Sequence, residues 1–167
     1  IDPTLPDMAI ELYGPPPTSG TRDAFVELVM DKGCEEIAEF KAAVPDEKDR
    51  KKQCGLIRED GHYIDAGEDD NIIVQKISTN PSAYGILGYS FYEENLTKIQ
   101  ANAVEGQLPT YETIESGAYK VSRSLYVYAK MQHASEVEGM QAFIDEMTHP
   151  TANGPNGYMA ERGLLPL

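Results

Sequence analysis

The sequence has few basic residues and no long apolar run. Lys and Arg account for 14 of its 167 residues, against 28 Asp and Glu, so the formal net charge is −14. This deficit disfavours nucleic acid as a partner, because affinity for nucleic acid depends on cations that neutralise phosphates. No stretch of about 18 consecutive apolar residues is present, so the sequence predicts no transmembrane helix. An apolar content of 41% is that of an ordinary globular protein.

The sequence also lacks an initiator Met and a basic start followed by an apolar segment. Two interpretations are open: a signal peptide has been removed, or the chain is a fragment. Cys34 and Cys54 are the only cysteines, and no C-x-x-C or Cys/His cluster favours a metal or redox site. In an oxidising compartment the two could form a disulfide. The alternative is that they are two unrelated buried thiols.

Residues 13–23, Tyr-Gly-Pro-Pro-Pro-Thr-Ser-Gly-Thr-Arg-Asp, predict an anion-binding turn. They connect an alternating strand pattern to a helical pattern, and the first N–H groups of a helix attract anions. Gly20 would let backbone approach a ligand closely. Arg22 stands in the first helical turn, where the helix dipole disfavours a cation unless an anion binds there.

The same residues have a purely structural interpretation. Ser19 and its neighbouring threonines are common helix caps, and Arg22 could form a surface ion pair with Asp23, Glu27 or another surface carboxylate. A nucleotide-binding P-loop is not indicated, because the spacing is one residue too long, no Lys is present, and three prolines remove N–H donors.

Enzymatic motifs are not indicated either. The G-x-S-x-G motif is absent, and His62, His133 and His149 stand in turn or helix-end contexts that predict surface or capping roles. The acidic residues 65–70 do not match the calcium-binding loop pattern, so we expect a solvated loop with a helix cap.

Alternation and helical spacing predict an α/β domain with helices packed on a mainly parallel or mixed sheet. Strands are expected at 8–13, within 56–64 as a hairpin around an Asp-Gly turn, and at 84–89, 99–104 and 125–129. Helices are expected at 22–32 with Gly33 ending it, at 46–53, from a cap at Asp69 or Asp70, at 91–95, at 111–116 capped by Thr110, and from a capping box at 135–138.

Nearly the whole chain resembles the periplasmic phosphate-binding proteins of bacterial ABC phosphate importers. The segments that carry the resemblance are 13–25 (YGPPPTSGTRDAF), 58–71 (R-x-D-G-x-Y-I-x-A-G-x-D-D-N), 84–95 (YGILGYSFYEEN), 122–128 (SRSLYVY) and 157–167 (GYMAERGLLPL). Together these segments are specific, whereas Ser-Gly-Thr alone is not.

The resemblance implies a class II periplasmic-binding-protein-like fold, in which two α/β lobes joined by hinge strands close on one phosphate. It implies that Ser19, Gly20 and Thr21 bind phosphate. Members often carry an Arg a few residues before that Ser, where this sequence has prolines and Thr18. Arg22 is therefore expected to substitute for it. The resemblance implies no metal, no cofactor and no catalytic residue.

The resemblance also implies an incomplete receptor. Residues 1–122 are expected to form the second, phosphate-binding lobe, incomplete at its N-terminal side, and residues 123–167 to cross the hinge and return toward the first lobe. The missing N-terminal lobe, in the same protein or a separate polypeptide, would supply the remaining hydroxyls and an Asp that accepts a hydrogen from phosphate. We expect the chain alone to expose apolar faces that this lobe covers.

The expected function is high-affinity binding of inorganic phosphate, as the periplasmic or otherwise exported solute receptor of an ABC phosphate importer. The expected partners are phosphate, the missing lobe and the membrane subunits of the transporter. The alternative is an extracellular phosphate-binding or interaction protein that is not coupled to a transporter.

Overall fold

The computed structural model describes residues 4, 6–162 and 164–165. The chain divides into two compact units, Ile1–Ala101 and Asn102–Leu167. The lobe boundary expected near residue 122 stays a prediction. The part of the last motif that falls on residues 163, 166 and 167 lies outside the described residues.

The first unit contains a three-stranded parallel sheet. Its strands are β1 (Glu11–Gly14), β2 (Tyr63–Asp65) and β3 (Ala83–Gly85), in the order β2-β1-β3. Leu12 of the central strand lies opposite Tyr63 on one side and Tyr84 on the other. The α/β class predicted from the sequence is confirmed, and all three strands of this sheet are parallel.

Helices connect and flank these strands. A continuous helical run comprises α1 (Gly20–Phe25), a π-helical segment (Val26–Asp31) and α2 (Lys32–Glu36); the other helices of this unit are α3 (Ala38–Ala43), α4 (Glu47–Cys54), α5 (Asp70–Thr79) and α6 (Tyr89–Glu93). The prediction that Gly33 ends the first helix is wrong, because helical hydrogen bonding continues through it. The predicted start of α4 after Asp46 is confirmed.

The second unit contains short helices. They are α7 (Tyr111–Glu115), a 3₁₀ turn (Met131–His133), α8 (Met140–Thr148), α9 (Pro150–Asn153) and a second 3₁₀ turn (Ala160–Arg162). Thr110 caps α7 as predicted, in a reciprocal pair with Thr113. The capping box predicted at 135–138 is wrong. The chain instead adopts the left-handed region at Gly139, with φ 83°, and α8 begins after it.

Several strand predictions were also wrong. The hairpin within 56–64 does not form, since β2 pairs in parallel with β1 and residues 56–62 carry no strand. Residues 99–104 contribute only an isolated bridge between Val104 and Gln107. Residues 125–129 form no strand, and Leu125, Tyr126, Val127 and Tyr128 are 60–90% exposed. Alternating side chains mark strand propensity, but a strand also needs a partner for its backbone groups.

The buried core within the described part of the chain is small. Its buried apolar residues include Cys54, Ile73, Val74 and Ala152, and the side chain of Pro15 is also fully buried. Ile73 and Val74 belong to α5, which packs against β1 and β3 and so joins the central strand to an edge strand. Few side chains of the described residues are therefore fully buried, which agrees with the expectation of exposed apolar faces.

Cys34 and Cys54 form a disulfide. Their Cα atoms lie 6.0 Å apart, within the range that a disulfide spans without moving the backbone. The bond joins α2 to the last residue of α4, and Cys54 is buried. The disulfide interpretation is thus confirmed, and the interpretation as two unrelated thiols is wrong.

Candidate functional site

The carboxyl edge of the parallel sheet gathers three loops that each lead into a helix. Residues 15–19 follow β1 and precede α1, residues 66–69 follow β2 and precede α5, and residues 86–88 follow β3 and precede α6. Parallel strands all end at the same edge of a sheet. The N-termini of the three helices that follow these loops therefore lie at that edge. This edge is where ligands bind in open α/β sheets.

The proline turn, which we define as residues 14–22, occupies the central position at this edge. The backbone N–H of Ser19 donates to the Pro16 carbonyl at 3.0 Å, which closes the turn. Ser19 is the N-cap of α1, with extended backbone angles, and its Oγ accepts the Thr21 N–H at 3.2 Å. Capping is therefore the role that Ser19 performs in the structure.

The four predicted phosphate-binding residues, Ser19, Gly20, Thr21 and Arg22, are brought together at the start of α1. Thr21 and Arg22 are half-buried, and Gly20 is exposed. The dipole of a helical run from Gly20 to Glu36 places partial positive charge at these residues. Their role in binding phosphate remains a prediction.

Arg22 lies over an aromatic ring. Its guanidinium carbon is 5.0 Å from the centroid of the Tyr63 ring, a cation–π distance. Among the described residues, the ion pair within 4.0 Å is Arg58 with Asp60. The ion pair of Arg22 with Asp23 or Glu27, the structural interpretation offered by the sequence, is therefore not formed. A ring, and not a carboxylate, accommodates this cation near the helix N-terminus.

Tyr63 also contacts the proline turn directly. Its hydroxyl donates to the Pro15 carbonyl at 2.6 Å. Burial raises the pKa of the Tyr63 phenol, and the charge of Arg22 partly opposes that rise. As in any tyrosine, the phenol is a neutral O–H donor at neutral pH.

The acidic loop after β2 supplies both a contact to the turn and a helix cap. The Thr18 hydroxyl donates to the Glu68 carboxylate. Asp69 is the N-cap of α5, since its Oδ1 accepts the Asn71 N–H at 2.9 Å. The prediction of a capping Asp in a solvated loop is confirmed for Asp69, whereas Asp70 is buried.

Negative charge thus surrounds the candidate site. Glu68 contacts the proline turn, and the protein as a whole carries a formal charge of −14. Long-range repulsion between charges is screened within about 10 Å at moderate salt. An anion at this turn would have to be held by hydrogen bonds at contact distance, and the backbone, hydroxyl and guanidinium groups of residues 19–22 are donors of that kind.

The three histidines lie in local structural settings. The His62 Nδ1 atom is 3.1 Å from the Ile10 carbonyl oxygen. His149 is the N-cap of α9, with Nδ1 accepting the Thr151 N–H at 3.2 Å. His133 ends a 3₁₀ turn and is exposed. The predicted capping or surface roles are confirmed for His149 and His133.

The sequence did not single out Tyr63 or the burial of Asp70. Tyr63 begins a strand that was predicted as half of a hairpin, and a hairpin would not have placed it beside the proline turn. The missed signal is positional: a short strand that begins with a tyrosine and ends in an acidic loop, within the same unit as a strand that ends in a Gly-Pro-rich turn. A parallel pairing brings both to one edge.

A family profile, that of the PBP superfamily domain, matches residues 2–151. The chain belongs to the PBP superfamily.

None of the helices in the described part of the chain is long and apolar enough to cross a bilayer.

Individual relatives agree with this assignment. The phosphate-binding protein PstS of Staphylococcus saprophyticus is 31% identical over 149 residues, which cover 86% of this chain and 38% of that protein. Protein SphX of Synechocystis sp. is 26% identical over 151 residues, covering 87% of this chain and 38% of that protein. The chain therefore spans less than half the length of these relatives.

The crystal structure of PstS from Borrelia burgdorferi has the same fold. The TM-score is 0.61 at 23% sequence identity, and the superposition covers 96% of this chain and 54% of that chain. The PBP-like α/β fold expected from the sequence is thereby confirmed as a partial PBP domain.

Proposed function

We propose that this chain carries half of an inorganic phosphate site, formed by Ser19, Gly20, Thr21 and Arg22. The observation that carries the proposal is their placement at the carboxyl edge of the parallel sheet, at the start of a helical run. Relatives named as phosphate-binding proteins support the choice of anion.

The proposed binding uses hydrogen bonds and one cation. Backbone N–H groups at the start of α1 and the hydroxyls of Ser19 and Thr21 donate to phosphate oxygens, and Arg22 donates in a bidentate manner. When phosphate binds, Ser19 exchanges its capping bond to Thr21 for a bond to the ligand, and the ligand then satisfies the helix N-terminus. No bond of phosphate is made or broken, so the proposed protein is a receptor and not an enzyme.

We further propose that a second lobe completes the site. Two observations support this: relatives are more than twice as long as the matched region, and few apolar side chains are buried among the residues that the structure describes. The second lobe could belong to the same protein or to a separate polypeptide. We call this chain together with that lobe the complete receptor.

The proposed setting is outside the cytoplasm, in the periplasm or as an exported protein. The Cys34–Cys54 disulfide supports an oxidising compartment. The proposed partners are inorganic phosphate and the membrane subunits of an ABC phosphate importer. Capture of those subunits by the immobilised complete receptor would support transport coupling, whereas phosphate binding without capture would favour the uncoupled extracellular role.

Calorimetric titration of the complete receptor with inorganic phosphate tests the site. Thr21→Val keeps the shape of the side chain but removes its hydroxyl, so affinity should fall about 10- to 100-fold if that hydroxyl binds the anion. Thr79→Val is the matched control, because Thr79 ends α5 and its hydroxyl donates to the backbone carbonyls of Gln75 and Lys76 within the same helix. Wild-type affinity in Thr21→Val would reject the site assignment.

A further inference from the structure

Tyr63 joins the second strand to three parts of the proline turn. Its hydroxyl donates to the Pro15 carbonyl at 2.6 Å, and its ring lies 5.0 Å from the guanidinium carbon of Arg22. A Cβ added at Gly14 would lie 2.8 Å from the Tyr63 Cζ, so the ring also packs against the backbone where β1 ends. A single side chain from β2 therefore contacts both the start and the end of the turn.

We propose that Tyr63 is a positioning residue for Arg22, holding the guanidinium ready for the anion. This rests on the proposed function, since it takes Arg22 as an anion ligand. Arg is a flexible side chain that loses rotamer freedom when it binds. The Tyr63 ring already restricts the Arg22 side chain, so less rotamer freedom is lost when the anion binds. The ring thereby tightens binding without touching the ligand.

The geometry of stacking suits this role. A guanidinium over an aromatic ring uses its flat face for the contact, while its five N–H donors lie in the plane of the group. The Arg22 side chain also interacts with the Tyr63 hydroxyl, and the in-plane donors that this interaction does not use remain available to an oxyanion. An ion pair with Asp23 or Glu27 would instead have consumed them, and the structure does not form that pair.

The hydroxyl of Tyr63 adds a second constraint. Its bond to the Pro15 carbonyl fixes the beginning of the turn relative to β2, and residues 15–17 are prolines whose φ angles are locked. The ring and the turn are thus held in one arrangement. A tyrosine is protonated at neutral pH, and burial raises the pKa of Tyr63 further, so its O–H remains available for this bond.

A double-mutant cycle in the complete receptor separates positioning from general stability. Phosphate Kd is measured by calorimetry for the wild type, Tyr63→Leu, Arg22→Gln and the double variant. We expect Tyr63→Leu to weaken binding about threefold to tenfold, the range for immobilising one flexible side chain, and to have no further effect once Arg22 is Gln. Tyr63→Phe keeps the ring and should retain most of the affinity.

Tyr84→Leu is the matched control, since Tyr84 lies opposite the same residue of β1, Leu12, but on β3, the strand at the other flank of β1. It should leave Kd unchanged. Thermal unfolding of every variant checks folding, and Tyr63→Met replaces Tyr63→Leu in the cycle if the latter does not fold.

Each failure has a distinct signature. The positioning role is overturned if Tyr63→Leu weakens phosphate binding equally in the presence of Arg22 and in the Arg22→Gln background. It is also overturned if Tyr63→Leu binds phosphate with wild-type affinity. Either result leaves the phosphate site intact. Wild-type affinity in Arg22→Gln overturns the assignment of Arg22, and the role of Tyr63 with it. Absence of phosphate binding by the wild-type complete receptor overturns the proposed function itself.

Discussion

The side chain of Asp70 accepts a hydrogen bond from the backbone N–H of Gly88, with Oδ2 2.8 Å from the nitrogen. Asp70 begins α5 and Gly88 is the N-cap of α6, so this bond ties the start of α5 to the loop that precedes α6. The carboxyl is buried, and burial raises its pKa, while the bond from Gly88 opposes that rise. The edge that carries the candidate site therefore depends on one buried acid.

Substitutions of Asp70 should destabilise the fold, and the loss should depend on whether the new side chain keeps an acceptor oxygen. Asp70→Ala leaves the Gly88 N–H without its acceptor and should lower the free energy of unfolding by about 1–3 kcal/mol. Asp70→Asn keeps an acceptor oxygen and removes the buried charge, so its loss should be smaller. Urea unfolding at pH 7 measures both variants, and equal losses would mean that the hydrogen bond contributes little.

The pH dependence of the same pair has a defined sign. A carboxyl whose pKa is raised by folding stabilises the folded state below its unfolded pKa of about 3.9, and loses that contribution as pH rises through the folded value. The wild type should therefore lose stability relative to Asp70→Asn as pH increases from about 3 to 7. A stability difference that stays constant with pH would contradict this.

Substitutions at Ser19 can separate capping from ligand binding. Ser19→Ala removes the acceptor for the Thr21 N–H and should cost about 1 kcal/mol of stability. Ser19→Asp restores a good N-cap, so stability should return. Its negative charge, however, would repel an anion bound at the same helix start.

Phosphate titration and thermal unfolding of the two Ser19 variants are measured side by side in the complete receptor. We expect Ser19→Ala to lose both stability and affinity, and Ser19→Asp to lose affinity alone. Phosphate affinity close to that of the wild type in Ser19→Asp would place Ser19 away from the ligand and leave it as a cap only.

Helix starts were predicted well because their signals are local. Asp46, Asp69 and Thr110 each accept a backbone N–H two or three residues ahead, so a short sequence window contains the whole interaction. The box at 135–138 failed where a left-handed Gly139 competed with it. Strands failed more often, since β2 pairs with a strand about fifty residues earlier and no local pattern specifies that partner.

The same distinction between local and long-range signals applies to the residues of the candidate site. Ser19, Gly20, Thr21 and Arg22 are contiguous, so their proximity followed from the sequence. Tyr63 comes to the turn only through parallel pairing of β2 with β1. Composition could not show that Asp70 is buried among the exposed acids of its loop, because burial there depends on the loop that follows β3.

The disulfide should contribute substantially to a fold with so small a core. It links residues 20 apart in sequence, and closing such a loop stabilises by about 3 kcal/mol in the chain-entropy model. Replacing Cys34 and Cys54 together by Ser should therefore lower the free energy of unfolding by about that amount. Guanidinium unfolding measures the loss. Dithiothreitol should destabilise the wild type similarly and leave the Ser variant unaffected; insensitivity of the wild type would contradict a structural role.

The exposed segment 125–128 should become ordered in the complete receptor. Leu125, Tyr126, Val127 and Tyr128 are 69%, 73%, 60% and 90% exposed, and their alternating pattern is that of a strand without a partner. If the second lobe supplies that partner, these amides should exchange hydrogen roughly 100-fold more slowly in the complete receptor than in this chain alone. Amides of α5, whose partners lie within this chain, serve as the internal reference and should change little. Equal exchange in the two forms would show that the second lobe does not cover this segment, and would remove one support for a site shared between two lobes.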